Sequence, residues 1–338
     1  MLLAASKSGR KAGGGRLVVA MAPVGPASGS SGPSLHRPVL VAEVVEHLWV
    51  RPDGVYLDAT VGDGGHALAI LDAASPTGKV LGLDRDPHSL ARAVQRLGPY
   101  GDRFVPVQGN YAEMSALARS RGVSRADGVL MDLGFSSSQV QEPGRGFSFR
   151  FDEPLDMRYD PASPLTAAHI VNYYDERELA QLIFRYGEEP RSRTIARNIV
   201  RNRPIGSTLG LADLVARAVG NRRGHRLHPA TRTFQALRVA VNDELVHLEA
   251  GLKSAIDLLA PSGRLEIISY QSLEDRLVKS FLAQESRACI CPPEVPACTC
   301  GHRPRVRLVN RRVIRPSSQE VQLNPRSRSA KMRVAQRL

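Results

Sequence analysis

A glycine-rich turn between an apolar strand and a helix limits the fold of this 338-residue chain more than any other feature. The turn lies within YLDATVGDGGHALAIL, residues 56–71. Gly62, Gly64 and Ala67 have the G-x-G-x-x-A spacing of dinucleotide-binding turns, in which glycines let the backbone bend tightly beside a ligand. Asp84 ends the next predicted strand about 20 residues later, where an acid binds ribose hydroxyls. NAD and S-adenosylmethionine both carry such a ribose, and a purely structural turn is a third interpretation.

Predicted strands alternate with helices on both sides of the turn, which indicates a doubly wound, mostly parallel α/β sheet. From 140 to 235 the apolar residues recur at helical spacing, and no strand is predicted. We therefore expect a Rossmann-like core of residues 35–140 and 236–338, with an all-helical insertion at 141–235. Residues 1–34, rich in Gly, Ser, Ala and Pro, are expected to be a disordered tail. The predicted strands are 54–60, 78–86, 103–111, 126–134 and 263–270.

Some helix boundaries are predicted in more detail. Asp175 and Glu178 have the spacing of a capping box at the start of one helix. Ser272 is the predicted N-cap of SLEDRLVKSFLAQ, with Asp275 at the third helical position. The apolar spacing from residue 231 predicts one long helix that continues as far as the Pro-Ser-Gly turn before the fifth strand.

The chain is strongly basic, with 46 Lys and Arg residues against 33 acidic ones, a formal net charge of +13 and a pI near 10.1. Such an excess indicates a polyanionic partner, with nucleic acid as the first candidate, or else a generally Arg-rich proteome. Arginines cluster at 191–203, 221–238 and 303–338, which favours a binding surface. No apolar run approaches the length of a membrane span, so no membrane partner is expected.

All four cysteines, Cys289, Cys291, Cys298 and Cys300, lie within twelve residues of each other. A secreted disulfide framework spreads its cysteines along the chain, so this distribution favours a reducing, cytoplasmic compartment. Two C-x-C pairs on one Pro-rich loop can hold a zinc ion tetrahedrally, or they can remain free thiols. The spacing does not decide between these two interpretations.

Three further features favour S-adenosylmethionine over NAD. Asp58 precedes the first glycine by four residues, where methyltransferase folds place an acid near the methionine amino group. LLAPSGRL (258–265) is similar to the L-x-P-G-G-x-L turn before the fifth strand of those folds, with Ser262 in place of one glycine. In MDLGFSSS, Asp132 and Phe135 match the acid and the aromatic of the D-P-P-Y motif in enzymes that methylate exocyclic base amines. S-adenosylmethionine is therefore the predicted cofactor.

Base methylation explains why an acid and an aromatic would stand together. An exocyclic amine is a poor nucleophile, because its lone pair is delocalised into the ring. An acceptor at Asp132 would engage the N–H and free the lone pair for attack on the sulfonium methyl, while Phe135 would hold a flipped base by its face. Asp132 and Phe135 are thus the candidate catalytic residues. The alternatives are a cofactor ligand without a chemical role at Asp132 and a core residue at Phe135.

From about residue 36 onwards the chain resembles the bacterial 16S rRNA (cytosine-N4)-methyltransferases of the RsmH/MraW family. The resemblance implies a class I S-adenosylmethionine methyltransferase core with a helical insertion that recognises rRNA. It also implies methylation of a cytosine N4 near the decoding centre of the small ribosomal subunit. The matching segments, in order, are HRPVL (36–40), DATVGDGGH (58–66), LDRDP (83–87), DLGFSSSQ (132–139), RGFSFRFDEPLDMR (145–158), HPATRTFQALRVAVNDEL (228–245), GRLEIISYQSLEDRLVK (263–279) and NPRSRSAKMR (324–333).

The same resemblance implies a set of cofactor contacts. Tyr111 follows the third strand, where the family has an aromatic residue near the adenine, and His66 lies inside the turn motif, although it could also be a structural residue at the helix start. The implied partner is 16S rRNA or the small subunit, with naked and assembled substrates and monomer and homodimer all left open. The implied cofactor-binding residues are Gly64, Gly65, His66, Asp84, Tyr111, Asp132 and Gln139.

Two departures from the family pattern concern the same region. The family commonly has FHSLEDR where this chain has YQSLEDR, so that Tyr270 and Gln271 replace Phe and His. If that His assisted the chemistry, its role is lost or taken by the amide; if it shaped the pocket, the exchange is tolerable. Ser138 stands where many relatives have Pro, which loosens the analogy with the D-P-P-Y turn.

Three other functions share parts of this pattern. The first is methylation of DNA amines, against which the family motifs count. The second is NAD-dependent oxidoreduction, for which the sequence offers no hydride-transfer partner. The third is RNA binding without catalysis, which substitution of Asp132 would test.

Overall fold

The computed structural model describes residues 38–134, 139–140, 142–220, 228–294 and 297–338, so the predicted tail at 1–34 lies outside the described residues. The strands, in chain order, are β1 (Val55–Asp58), β2 (Lys79–Asp84), β3 (Phe104–Gln108), β4 (Ala126–Asp132), β5 (Leu259–Ser269), β6 (Val306–Leu308) and β7 (Lys331–Arg337). Within the described ranges they form one seven-stranded sheet in the order β3-β2-β1-β4-β5-β7-β6. Strands β1 to β5 are parallel, and β7 runs antiparallel to both β5 and β6. The predicted doubly wound sheet is confirmed, and β6 and β7 extend it beyond the prediction.

Helices follow most of the parallel strands. No helix in the described ranges combines the length and the apolar character needed to cross a bilayer. The α-helices are α1 (Val41–His47), α2 (Gly65–Ala73), α3 (Pro87–Leu97), α4 (Met114–Ser120), α5 (Ala167–Tyr173), α6 (Glu176–Gly187), α7 (Ser192–Arg201), α8 (Thr208–Val219), α9 (Thr231–Val241), α10 (Glu244–Leu258), α11 (Ser272–Glu285) and α12 (Ser318–Leu323). Short 3-10 helices cover Gly98–Arg103, Tyr111–Glu113 and Pro325–Ser329.

Both faces of the sheet are covered, because neighbouring residues of a strand point to opposite sides. In β4, Val129 and Met131 face a core that α4, α10 and α11 complete, with Leu252 of α10 at its centre. Leu130, between them, faces a second core with α1, α2 and α3, to which Ile70 of α2 contributes. Because both faces of the sheet are buried, the sequences of these strands are nearly continuous runs of apolar residues.

Between β4 and β5 every named element of the described chain is a helix, as predicted. Helices α5 to α9 share a third hydrophobic core, which runs from Leu155 to Val241 and includes Ile183 and Leu211. This core extends past residue 235, where the insertion was predicted to end. The division of the chain at 141 and 235 into separate domains stays a prediction.

The long helix predicted from residue 231 is wrong, because α9 ends at Val241 and α10 begins at Glu244. Asp243 between them has the left-handed conformation, with φ of 49°. The buried Asn242 side chain stabilises this break: its amide nitrogen donates to Met157 O at 2.7 Å, and its oxygen accepts from Tyr159 N at 2.8 Å. Long-range bonds of this kind leave no local trace in the sequence.

The two predicted helix starts have different outcomes. The capping box of Asp175 and Glu178 at α6 is confirmed. The prediction for α11 is wrong by one residue, because the N-cap is Gln271 and not Ser272. Gln271 forms a capping box with Glu274. In addition, β5 begins at Leu259, four residues earlier than predicted, so the Pro-Ser-Gly segment lies within the strand.

Candidate active site at the carboxyl edge of the sheet

Three aspartates end three adjacent parallel strands: Asp84 ends β2, Asp58 ends β1 and Asp132 ends β4. Parallel strands place their carboxyl ends at one edge, and the crevice there opens where the strand order reverses, here between β1 and β4. The turn predicted to bind the cofactor leaves β1 at this same edge. The topology therefore brings together the acids that the sequence predicted separately.

Asp84 holds the glycine turn in place. Its Oδ2 accepts a hydrogen bond from Gly62 N at 2.8 Å, and its Oδ1 accepts one from Asp86 N at 2.9 Å. Burial raises the pKa of Asp84 to about 6. Gly62 and Gly64 both have positive φ, 51° and 79°, a backbone region that favours glycine. A Cβ at Gly64 would also lie 3.1 Å from the Leu97 side chain of α3.

His66 connects the start of α2 to its surroundings. Its ring is buried, and Nε2 donates to Val39 O at 2.8 Å, because a carbonyl oxygen can only accept. The other ring nitrogen, Nδ1, lies 3.7 Å from Asp132 Oδ2. Pro38 lies where a Cβ on Gly65 would reach, with its Cγ 3.0 Å away. Gly65 and His66 thus lie against the segment before α1, and His66 also lies near Asp132.

At this edge of the sheet, Asp58 Oδ2 and Asp132 Oδ1 are buried and have no hydrogen-bond partner among the described residues. Asp58 accepts only a bond from Thr60 N at 3.2 Å, and burial raises its pKa to about 7. Thr60 also accepts from Asp132 N through its hydroxyl at 2.7 Å and so ties the ends of β1 and β4 together. Two buried acceptors beside a glycine turn fit a ligand that carries an amino group and a ribose. Thr60 was not identified from the sequence.

The departures at 270 and 271 both have a structural role. Tyr270 packs against the end of β4, since a Cβ on Gly134 would lie 2.9 Å from its ring. Burial, together with the interaction with the Asp132 carboxylate, raises the pKa of the Tyr270 phenol well above its usual range. Where the family commonly has Phe, this chain therefore places a hydroxyl beside Asp132. Gln271 caps α11, a structural role that an amide performs without acid–base chemistry.

Asp86 connects the cofactor turn region to the segment after β4. Gln139 Nε2 donates to Asp86 Oδ2 at 2.9 Å, and Arg145 Nη2 donates to the same oxygen at 3.0 Å. Although burial opposes the shift, these bonds hold the pKa of Asp86 below its usual range. Arg145 also donates to the carbonyls of Arg158 and Tyr159. Gln139 was predicted as a cofactor contact, and its hydrogen bond to Asp86 was not foreseen.

Tyr111 lies directly after β3, in the position predicted for it. Its ring packs closely on α10, where a Cβ on Gly251 would lie 2.6 Å from Tyr111 Cδ2. Burial raises the pKa of its phenol far above the usual range. Phe135 and Ser138, which the sequence analysis singled out, lie outside the described residues.

A buried charge network behind the site was also missed. Arg238 of α9 forms two hydrogen bonds to the Glu244 carboxylate of α10, at 2.7 and 3.0 Å. Tyr159 donates its hydroxyl to the same carboxylate at 3.2 Å. Glu274, whose pKa burial raises to about 7, accepts from Tyr270 N at 3.0 Å. Arg238, Glu244 and Glu274 lie in segments quoted for their family resemblance, and Tyr159 directly follows one. Only the structure shows that these residues lie together between α9, α10 and the end of β5.

The predicted basic surface at 191–203 divides into two groups of arginines. Arg191 and Arg203 donate to backbone carbonyls of neighbouring helices, so both have structural roles. Arg193, Arg197 and Arg201 recur every four residues along α7 and are exposed. One face of α7 therefore presents three guanidinium groups to solvent, of which Arg197 also forms a 3.4 Å ion pair with Glu176.

Comparison with known proteins identifies the family. The MraW methylase family matches residues 33–338. The chain belongs to this family. "Ribosomal RNA small subunit methyltransferase H" of Thermomicrobium roseum is 53% identical over 306 residues, covering 90% of this chain and 94% of the relative. The protein of the same name from Geobacter sulfurreducens is 51% identical over 309 residues, covering 90% and 99%.

Membership of the MraW family makes S-adenosylmethionine the cofactor and methyl transfer the reaction. The buried acceptors Asp58 Oδ2 and Asp132 Oδ1, the glycine turn and Asp84 fit that group by their chemistry. A solved rRNA methylase from Streptococcus thermophilus aligns with 90% of this chain and 99% of its own, at a TM-score of 0.40 and 11% identity. That likeness is too distant to add to the family assignment.

Proposed function

We propose that this chain transfers a methyl group from S-adenosylmethionine to N4 of a cytosine in 16S rRNA, near the decoding centre of the small ribosomal subunit, in the cytoplasm. Relatives that are about half identical and nearly equal in length carry the name of small-subunit rRNA methyltransferases, which supports the substrate. The choice of an exocyclic amine depends on one observation, the buried acceptor Asp132 Oδ1 at the end of β4.

Asp132 suits the role of amine acceptor. An N–H of the cytosine amine would donate to Oδ1, which draws the nitrogen towards tetrahedral geometry and localises its lone pair. The nitrogen would then attack the methyl carbon of the bound cofactor, whose carbon–sulfur bond would break with its electron pair on sulfur to give S-adenosylhomocysteine. The amine proton is lost to solvent or to a carboxylate at the edge. Holding amine and methyl in line supplies much of the rate acceleration.

The cofactor is proposed to lie across the ends of β2, β1 and β4. In this arrangement Asp84 binds the ribose, Asp58 faces the methionine amino group and Tyr111 contacts the adenine. Gly64, Gly65 and His66 form the turn beside it, and Gln139 closes it from the segment after β4. The assignment of Asp58 follows methyltransferase folds in general, and the others follow the family resemblance residue by residue. The ends of β2, β1 and β4 at one edge of the sheet support them.

The helical block at 141–235 is proposed to recognise rRNA. The exposed face of α7, with Arg193, Arg197 and Arg201, would contact phosphates without reading sequence. Selection of one cytosine would come from the shape of the rRNA and from a base that is splayed out of its stack. Phe135 stays the proposed aromatic support for that base.

A methyl-transfer assay with labelled S-adenosylmethionine tests the proposal. Purified small subunits, naked 16S rRNA and DNA are offered in parallel, and the products are digested to nucleosides. We expect label in N4-methylcytidine from ribosomal RNA. Label on DNA alone, or on another nucleoside, would reject the substrate, and tight cofactor binding without label on any arm would support a non-catalytic protein.

Variants at Asp132 test the chemical role. Asp132→Ala and Asp132→Asn are expected to lower kcat by about 10²–10³-fold, the usual loss for one positioned polar group in a transition state. The control is Asp213→Asn, which removes one exposed carboxylate from α8. Equal activity of Asp132→Ala and the control would remove Asp132 from the mechanism.

A further inference from the structure

The loop between α11 and β6 has the four cysteines in one compact cluster. Their sulfur atoms all lie within 4.8 Å of one another. Cys298 Sγ and Cys300 Sγ are 3.6 Å apart, and Cys300 Sγ and Cys289 Sγ are 3.9 Å apart. A disulfide needs about 2.05 Å between its sulfurs, and all four thiols are free. Four unbonded sulfurs this close together can all bind to one metal ion.

Two of the distances between the sulfurs are those of a tetrahedral zinc site. Thiolates bind zinc at about 2.3 Å in a tetrahedron, which places neighbouring sulfurs about 3.8 Å apart. The observed distances of 3.6 and 3.9 Å are close to that value. Cys291 also receives a backbone hydrogen bond, from Thr299 N at 3.5 Å, and Cys289 receives one from Cys291 N at 3.4 Å. Backbone N–H groups directed at the sulfurs are the outer-shell contacts that orient thiolate ligands.

The described residues of the loop form no hydrophobic core of their own. Between Ser286 and Arg305, none of the described residues is buried. Hydrogen bonds attach the ends of the loop to the end of α11: Arg305 N donates to Glu285 O at 2.8 Å, and His302 Nε2 lies 3.1 Å from Gln284 O. A segment without apolar burial needs another source of folding free energy, and a structural metal ion is one such source.

We propose that Cys289, Cys291, Cys298 and Cys300 bind one structural zinc ion that folds this loop. The imidazole of His302 is already directed at a backbone carbonyl, so four cysteines complete the coordination. Zinc has no redox chemistry, which suits an exposed site. Zinc with four thiolates carries two negative charges, and the exposed Arg287 and Arg303 flank the loop with the opposite charge. The ion has no part in methyl transfer.

Metal analysis of the full chain, purified without chelators and without a metal-binding tag, tests the site. We expect about one zinc ion per chain, released when a mercurial reagent has reacted with the four thiols. The double variant Cys298→Ser, Cys300→Ser is expected to lose at least about ten-fold in zinc content. Thr299→Ala, which keeps every ligand and the backbone N–H, is the matched control and should retain the zinc.

Two further readouts separate metal binding from a loss of fold. Cobalt added to the reduced apo chain should give the absorption bands of a tetrahedral thiolate site, and the double variant should not. Removing the metal with a chelator should accelerate tryptic cleavage after Arg287 several-fold in the wild-type chain only. The proposal is overturned if the reduced, zinc-reconstituted chain holds less than about a tenth of an equivalent, if iron occupies the site, or if the double cysteine variant binds as much zinc as the wild type.

Discussion

Asp58 illustrates, at the scale of one residue, how a binding site can lower stability. Its carboxylate is buried with one oxygen unpartnered, and its pKa rises from 3.8 to about 7. The folded chain therefore prefers the neutral carboxyl. The contribution of Asp58 to stability is complete below about pH 4 and is lost as the pH rises through about 7. The amino group of the bound cofactor, which we propose lies beside Asp58, would pair with this charge and offset the cost.

Asp58→Asn tests this linkage. At pH 8, without cofactor, we expect the free energy of unfolding to exceed that of the wild type by about 1–3 kcal/mol, because the variant buries no charge. At pH 5 the difference should be clearly smaller than at pH 8, because only part of the loss that occurs between about pH 4 and about pH 7 has then taken place. Urea unfolding at both pH values measures the difference, with Asp213→Asn as the exposed control. A difference that is the same at pH 5 and pH 8 would contradict the assigned cause.

Gly64 is the position where the turn depends most on glycine. Gly64→Ala places a Cβ on a residue with φ of 79° and 3.1 Å from Leu97, which should cost about 1–3 kcal/mol of stability and weaken cofactor binding. Gly98→Ala is the matched control, because Gly98 has helical φ and ψ and open space around its Cβ position. Urea unfolding and calorimetric binding of S-adenosylmethionine measure both effects. Equal results for the two variants would show that the turn tolerates a side chain.

At the scale of elements, the break between α9 and α10 depends on Asn242. Asn242→Ala leaves Met157 O and Tyr159 N without their partner, and we expect a loss of about 2–4 kcal/mol in the free energy of unfolding. Asn202→Ala removes an exposed amide that bonds only within its own helix, and it should change stability by less than about 0.5 kcal/mol. Urea unfolding of both variants decides the matter. A straight, continuous helix in the variant, without loss of stability, would contradict the role of Asn242.

The elements and residues that could be predicted from the sequence are those with local signals. Strands β1 to β5 are apolar runs bounded by turn residues, and the turn at Gly64 is encoded within a few positions. Strand β7 was missed because KMRVAQR is mostly polar, although Gln336 is buried beside Val334. The bonds from Gln139 and Arg145 to Asp86 span 53 and 59 residues, so only the folded chain brings them together.

At the scale of the whole molecule, the net charge of +13 predicts binding that depends strongly on salt. The triple variant Arg193→Ala, Arg197→Ala, Arg201→Ala should weaken binding to small subunits. The magnitude of the slope of log K against log salt should fall by about 2, because each of the three lost phosphate contacts releases about 0.7 of an ion on single strands. Affinity for S-adenosylmethionine should not change. Binding measured by filter retention over a range of salt concentrations tests this.

The matched control removes the same charge elsewhere. This control is the triple variant Arg119→Ala, Arg121→Ala, Lys253→Ala. Arg119 lies on α4, Arg121 directly follows that helix, Lys253 lies on α10, and all three side chains are exposed. If this control lowers affinity and slope as much as the triple variant on α7, binding follows total charge and the helical block has no special role. If only the α7 variant does so, that face contacts the RNA.

The position of β7 has a consequence for how the protein is made. It is the last strand of the described chain, yet it lies inside the sheet between β5 and β6. While a ribosome is still synthesising the chain, β5 therefore has an unpaired, apolar edge of the kind that promotes aggregation. A message truncated before the codon for Lys331 would yield a substrate for chaperones and proteases rather than a folded, inactive enzyme. Synthesis of Lys331–Arg337 is thus a condition for the sheet to close.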